Sequence, residues 1–201
     1  SLLMDNLKKL NDRRLFYYAD PAASKISAGK SQSDTAAYVG VDVGMDYAEM
    51  NAGHSASKYS LLNKRYLTEA ACEPRMLLTY GEQQLILAEA EVRNGNSAAA
   101  RTAFNAVRTQ LAAQYKGDFP TTPSSGSTLL REILEEKYIT LIGSTQVFHD
   151  IRRTQNLLKI PVKSATSSTV PQRFLYPQVE INTNKKFPGV IDLFTPTGVN
   201  K

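Results

Sequence analysis

The chain has 201 residues, 42% hydrophobic and 21% charged, with a formal net charge of +5; that length closes one domain around a sizeable apolar core without disulfides or metals. No run approaches the roughly 18 apolar residues of a bilayer-crossing helix, and the basic residues are scattered in pairs such as Lys8-Lys9, Arg13-Arg14, Arg152-Arg153 and Lys185-Lys186, so no nucleic-acid partner is expected. A single cysteine, Cys72, excludes an intramolecular disulfide framework, and two histidines, His54 and His149, are too few for a histidine-rich metal site, so no metal or cofactor is expected.

In chain order, Leu3, Leu7 and Leu10 form a short amphipathic run in a start, "SLLMDNLKKLNDRR", that lacks the order of a signal peptide. "DRRLFYYADP", with its aromatic cluster and Asp-Pro end, predicts an extended segment. From Pro21 to about Asn63 the chain is rich in Gly, Ser, Ala and Asp, which predicts loops, with "YVGVDVGMDY" as the candidate strand pair.

Thr79-Tyr80-Gly81-Glu82 fits a capping box, in which the hydroxyl and the carboxylate each satisfy an orphan backbone N–H, and it starts a helix at Tyr80. Leu85, Ala88 and Val92 share one face of that helix, and Asn94-Gly95 supplies its stop. Ser97 then caps a second helix with the stripe Ala100, Phe104, Val107 and Leu111. The many alanines of both helices let their backbones approach closely, so the pair folds back as an antiparallel hairpin.

After the polar linker "GDFPTTPSSGS", a helix is predicted from about Thr128 to Ile142, with Leu130, Leu134, Tyr138 and Leu141 inward and Gly143 closing it. "STQVFHDIRRTQ" follows as a further helix, capped by Thr145, with Phe148 and Ile151 as its inner pair. From Leu157 onward helix signals vanish, and a proline-punctuated, extended tail wraps the scaffold.

The first hairpin resembles a tetratricopeptide repeat: Ala88 and Ala100 stand at the small positions, Gly95-Asn96 at the turn and Phe104 one turn later. The order of segments is more specific. "LLTYGEQQLILAEAEVRNG", then "LLREILEEKYITLIGSTQVFHDIRRT", then "RFLYPQVEINTN" resembles the C-terminal half of the SusD/RagB family of outer-membrane nutrient-binding lipoproteins of Bacteroidetes. In the last motif Arg173, Tyr176, Pro177, Glu180 and Asn184 match the family pattern, whereas Leu175 replaces a proline.

The resemblance implies a mainly α fold: tetratricopeptide-like helical hairpins, about 77–115 and 127–155, with a long irregular loop region, about 21–76, and an extended C-terminal tail, 157–201, all in one domain, 1–201. It also implies non-enzymatic capture of an oligosaccharide at the cell surface, for import through a TonB-dependent, SusC-like outer-membrane transporter. Peptide capture by the same family, or a tetratricopeptide adaptor binding peptide, is the alternative. Family members are typically more than twice this long and carry an N-terminal lipid anchor, which Cys72 cannot be. The chain is therefore expected to be a C-terminal portion, with an apolar face of the first hairpin uncovered.

Searches for chemistry end in structural readings. The adjacent carboxylates Glu135 and Glu136 point about 100° apart on a helix, which does not suit acid/base work, and one of them is expected to pair with Arg152 or Arg153 on the returning helix. His149-Asp150 lacks a nucleophile elbow, and Gly40 to Gly44 lacks the Lys-Ser/Thr of a phosphate loop. Arg173, Tyr176 and Glu180 are expected to anchor the tail by packing and salt bridges. Sugar recognition asks for aromatic faces beside amide and other polar side chains. Tyr38, Tyr47, Asn51, His54 and Tyr59 are the loop residues with that chemistry and form the candidate ligand site.

Overall fold

The computed structural model describes residues 2–41, 58–63, 78–162 and 169–198. Helix α1 spans Leu2–Lys9, α2 Leu15–Tyr18 and α3 Ala23–Ser27, and a 3-10 turn follows at Thr35–Ala37. Then come α4 (Tyr80–Arg93), α5 (Ser97–Tyr115), α6 (Gly126–Thr140), α7 (Thr145–Arg153) and α8 (Gln178–Thr183). No strand is formed among the described residues, although Ala19 and Leu62 make an isolated antiparallel bridge.

The α4/α5 hairpin is built as its sequence dictates. The Thr79 hydroxyl accepts a hydrogen bond from the Glu82 amide at 3.1 Å, α4 ends at Arg93, and Gly95 takes the left-handed φ of +84° that a side chain would resist. The cap of α5 is Asn96, one residue before the expected Ser97: its Oδ1 accepts from the Ala99 amide at 3.2 Å. Ser97 caps a different helix, accepting at its Oγ the amide of Gly126, the first residue of α6, at 3.1 Å. An asparagine amide reaches the free N–H groups of the first turn as well as a hydroxyl does, so the first competent side chain after Gly95 takes the role.

Leu85, Ala88, Val92, Ala100, Ala103, Phe104, Val107 and Leu111 close one core with Leu129 and Ile133 of α6, which lies chiefly against α4. Helix α6 is buried on more than one side. Leu134 meets Leu158 and Ile160, with Leu130 and Tyr138 packed half-buried beside them, while Ile139 joins Met4, Leu7, Leu15, Tyr18, Ala37 and Tyr38 of the N-terminal segment. The expected inward stripe therefore misses Leu129, Ile133 and Ile139, and overstates the burial of Leu130 and Tyr138. One stripe cannot describe a helix packed on several partners.

Two further expectations are corrected. "DRRLFYYADP" is not extended: Leu15 to Tyr18 turn once as α2, which buries Leu15 and Tyr18, three residues apart, on one side. Helix α7 is capped by Ser144, whose Oγ accepts the Gln146 amide at 3.2 Å, and Phe148 and Ile151 are only half-buried. Gly143 closes the preceding turn at a φ of +80°, as expected.

The tail lies on α7. Arg152 Nη1 donates to the Gln172 carbonyl at 2.8 Å, and the Phe174 ring packs 4.8 Å from that of Phe148. The tail carries one helix that its sequence does not announce, α8, starting directly after Pro177, whose φ is already preset for a helix. Among the described residues the anchors Arg173, Tyr176 and Glu180 make no salt bridge. Arg173 donates to the Thr195 and Pro196 carbonyls at 3.0 and 3.2 Å, Tyr176 meets the Phe187 ring edge-on, and Glu180 Oε1 accepts from Asn184 Nδ2 at 2.6 Å. Tyr80, Ile86 and Leu87 of α4 face solvent, as do Phe174, Leu175 and Val179 of the tail.

Candidate functional site

Because α6 is enclosed on several sides, its charged residues must be paired where they lie. The Glu136 side chain is fully buried and receives four donors. Arg14 Nη1 and Thr140 Oγ1 reach its Oε1, and Arg14 Nη2 and Arg108 Nη1 reach its Oε2, the last two at 3.2 and 3.0 Å. Arg14, also fully buried, uses every N–H it has: Nε and Nη2 go to Asp12, Nη2 and Nη1 to Glu136, and Nη1 also to Thr140 at 3.1 Å. Its guanidinium carbon lies 5.3 Å over the Phe119 ring. Burial alone would raise the Glu136 carboxyl, but the charges of Arg14 and Arg108 outweigh it and hold the group below the usual carboxylate range. The expected pairing of Glu135 or Glu136 with Arg152 or Arg153 does not occur: Glu135 pairs with Arg131 one turn earlier.

Arg153 instead joins a second cluster, on Glu89 of α4. Both Arg153 Nη atoms donate to the Glu89 carboxylate, which also meets Lys137 Nζ at 3.0 Å and Arg93 Nε at 2.9 Å. Lys137 reaches on to Asp150 at 2.9 Å, so one carboxylate ties α4, α6 and α7 together. Burial works against Glu89 being charged, yet the Arg153 and Lys137 contacts carry its carboxyl down to about 2. With these carboxylates locked to cations, neither cluster offers a free acid or base. Their arrangement fits a stiff frame.

The loop chemistry sits beside this frame, on a ledge leaving α2. Asp20 N–H donates to the Leu61 carbonyl at 2.9 Å and Asn63 N–H to the Tyr18 carbonyl at 2.8 Å. Asn63 Nδ2 adds a bond to Asp20 Oδ1 at 3.1 Å. Val39 and Ser60 bond reciprocally: Ser60 N–H donates to the Val39 carbonyl at 2.8 Å, and Val39 N–H to Ser60 Oγ at 3.0 Å. Residues 58–63 are thereby held between the end of α2 and the segment after Ala37.

Of the five candidate site residues, Tyr59 lies on this ledge, half-buried. Tyr38 is buried: it is 2% exposed, packs edge-on against Phe16, and donates its hydroxyl proton to the Gln32 carbonyl at 2.9 Å. It serves the core, because a tyrosine next to the Ala37 turn fills the space over Phe16 more readily than it faces water. Tyr47, Asn51 and His54, like the "YVGVDVGMDY" strand pair from Asp42 onward, lie outside the described residues. Sequence reading missed Asp20, Ser60 and Asn63. The signal for them was weak, since single polar residues in a Ser- and Asn-containing loop reveal their backbone partners only in three dimensions.

Residues 1–177 match a family model described as SusD-like, starch-binding associating with outer membrane. The fold is similar to that of a SusD homologue from Bacteroides fragilis, at 25% identity and a TM-score of 0.76, the match covering 100% of this chain and 51% of that one. A candidate outer-membrane nutrient-binding protein from Bacteroides vulgatus matches with a TM-score of 0.71 at 24% identity, over 100% of this chain and 51% of that one. This chain thus spans about half the length of those solved relatives. No curated protein sequence matches it.

Proposed function

Since the chain belongs to the SusD-like family, we propose that it captures a nutrient, an oligosaccharide, at the outer face of the outer membrane and passes it, unchanged, to a TonB-dependent transporter of the SusC type. The observation that carries this reading is the match of residues 1–177 to a family described as starch-binding and outer-membrane-associated. The site chemistry supports it. The charged clusters are consumed in holding helices together, whereas the ledge carries the half-buried Tyr59 beside Ser60 and Asn63, residue types that stack on a sugar face and bond its hydroxyls.

In this reading Tyr59 contacts the ligand, together with Tyr47, Asn51 and His54 of the same loop region, and Tyr38 supports the ledge from the core. Membrane attachment is through a lipid anchor outside the sequence given; among the described residues no helix is long and apolar enough to cross a membrane. The placement of Glu135 and Glu136 supports capture without turnover, since a glycosidase needs two carboxyls flanking one bond, Glu136 has no accessible oxygen and Glu135 pairs with Arg131.

The test is a binding panel on the full-length lipoprotein, with starch-derived oligosaccharides beside other glycans and short peptides. Saturable binding of at least one oligosaccharide, with Tyr59→Ala weakening it by about tenfold, is expected, since an aromatic anchor contributes on the order of 1 kcal/mol or more. Binding of peptides alone would replace oligosaccharide by peptide as the cargo.

A further inference from the structure

We infer that Arg14 is a positioning residue for the ledge at residues 58–63, through a continuous set of hydrogen bonds from α6 to that ledge; the inference rests on the reading that the ledge faces the ligand. The guanidinium is the fixed end. It stands at the N-terminal edge of α2 with all its N–H groups committed, and the carboxylate it grips belongs to α6, 122 residues away. A planar fork gripped on two edges, by Asp12 and by Glu136, cannot swing without breaking several charge-assisted bonds in a dry site.

The free end follows within one turn. The Arg14 carbonyl accepts from the Tyr18 amide at 2.8 Å, the Tyr18 carbonyl accepts from Asn63, and Asp20 donates to Leu61. Residues 58–63 are tied to the end of α2 by these bonds and to the segment after Ala37 by the Val39–Ser60 pair. Two side contacts stiffen the same path. Arg13 Nη1 donates to the Lys116 carbonyl at 3.1 Å, and Tyr17 packs its ring 5.1 Å from that of Tyr115 at the end of α5. The end of α2 is thus pinned to α5 and α6 together, and the ledge inherits that frame.

Two alternatives within the molecule carry less. The hollow lined by Leu134, Tyr138, Ile151 and Leu158 between α6 and α7 has room for about one water, some 10 Å³. Nothing in the structure shows what covers the exposed apolar residues of α4.

Amide hydrogen exchange of Arg14→Lys against the unaltered chain tests the inference without any ligand. Lysine keeps the charge but loses the planar fork that grips Asp12 through Nε and Nη2 and Glu136 through Nη1 and Nη2. Exchange at Asp20, Ser60 and Asn63 should rise by about tenfold or more, with Ala103, Phe104 and Val107 of α5 changing little. Equal acceleration everywhere, or none at the ledge, overturns the positioning role.

If the variant does not fold, exchange of the unaltered chain in rising sub-denaturing urea decides instead. Tyr18, Asp20, Ser60 and Asn63 should open as one unit below the free energy of α5, and independent opening overturns the inference. A second arm titrates maltoheptaose. Weaker binding by Arg14→Lys, with the ledge loosened, supports the whole chain of argument, and unchanged binding with a loosened ledge shows that the ledge does not hold the ligand. If the unaltered chain does not bind maltoheptaose, the starch reading fails while the exchange arm still decides the role of Arg14.

Discussion

Glu89 and Glu136 show how single residues carry this fold. Both carboxyls are held below their ordinary values by cations that meet them only in the folded chain. On acidification the unfolded chain therefore takes up protons first, and the stability these groups supply is present above about pH 4.5 and is lost as pH falls toward 2. For Glu89 the loss is about 3 kcal/mol at most. Urea titrations from pH 6 to pH 3 should show a falling midpoint, and Glu89→Gln should flatten that slope while lowering stability at pH 6. A pH-independent midpoint in the unaltered chain would show that the clusters add nothing through ionisation. At Phe104 of α5, 1% exposed in the core that α4, α5 and α6 share, truncation to alanine should cost about 3 to 5 kcal/mol by cavity formation; a urea-measured loss below about 1 kcal/mol contradicts its place in the core. Phe104 is legible in the sequence because its neighbours recur at helical spacing. The partner of Glu136 is not: Arg14 lies 122 positions away, and local reading turns instead to the basic pair Arg152-Arg153, which is near in sequence but directed at Glu89 and Gln172.

Helix limits were largely readable for a local reason. Caps and glycine stops act within four residues, and α4 begins and ends beside Thr79 and Gly95 as that chemistry requires. The misplaced cap of α5 makes its own prediction. Asn96→Ala should destabilise by about 1 kcal/mol through loss of the bond to Ala99, whereas Ser97→Ala should act on the start of α6 through Gly126. Thermal melts give the sizes, and exchange at the Gly126 amide separates the two helices; a Ser97→Ala effect confined to the Ala99 amide would restore the cap to Ser97. Helix α2 escaped because a single turn inside an aromatic run offers no period to read, and α8 because its six residues have none buried. Gly117 marks another place where contact, not pattern, decides. A β-carbon there would lie 3.0 Å from Arg13 Cγ and 3.1 Å from Phe119 Cε2, so Gly117→Ala should loosen the contact of Arg13 with the linker after α5.

At the scale of the molecule, the hairpins, the linker and the tail follow one another as the hydrophobic periods and proline clusters predict, and the family membership agrees with that order. The ledge was less legible. Its shape depends on backbone bonds between Tyr18, Asp20, Leu61 and Asn63, which hydropathy does not encode, and one of the five aromatic and polar residues chosen from the loops, Tyr38, turns out to serve the core. What results is a helical frame braced by two buried charge clusters, with a polar ledge hung from α2; in the proposed function that ledge holds a ligand without transforming it. The most direct test of that claim is calorimetric titration of the full-length protein with starch-derived oligosaccharides, the cell contents then analysed for chain length. Saturable binding with every oligosaccharide recovered intact is the result predicted here; shortened or transferred chains, or no heat of binding with any of them, would contradict it.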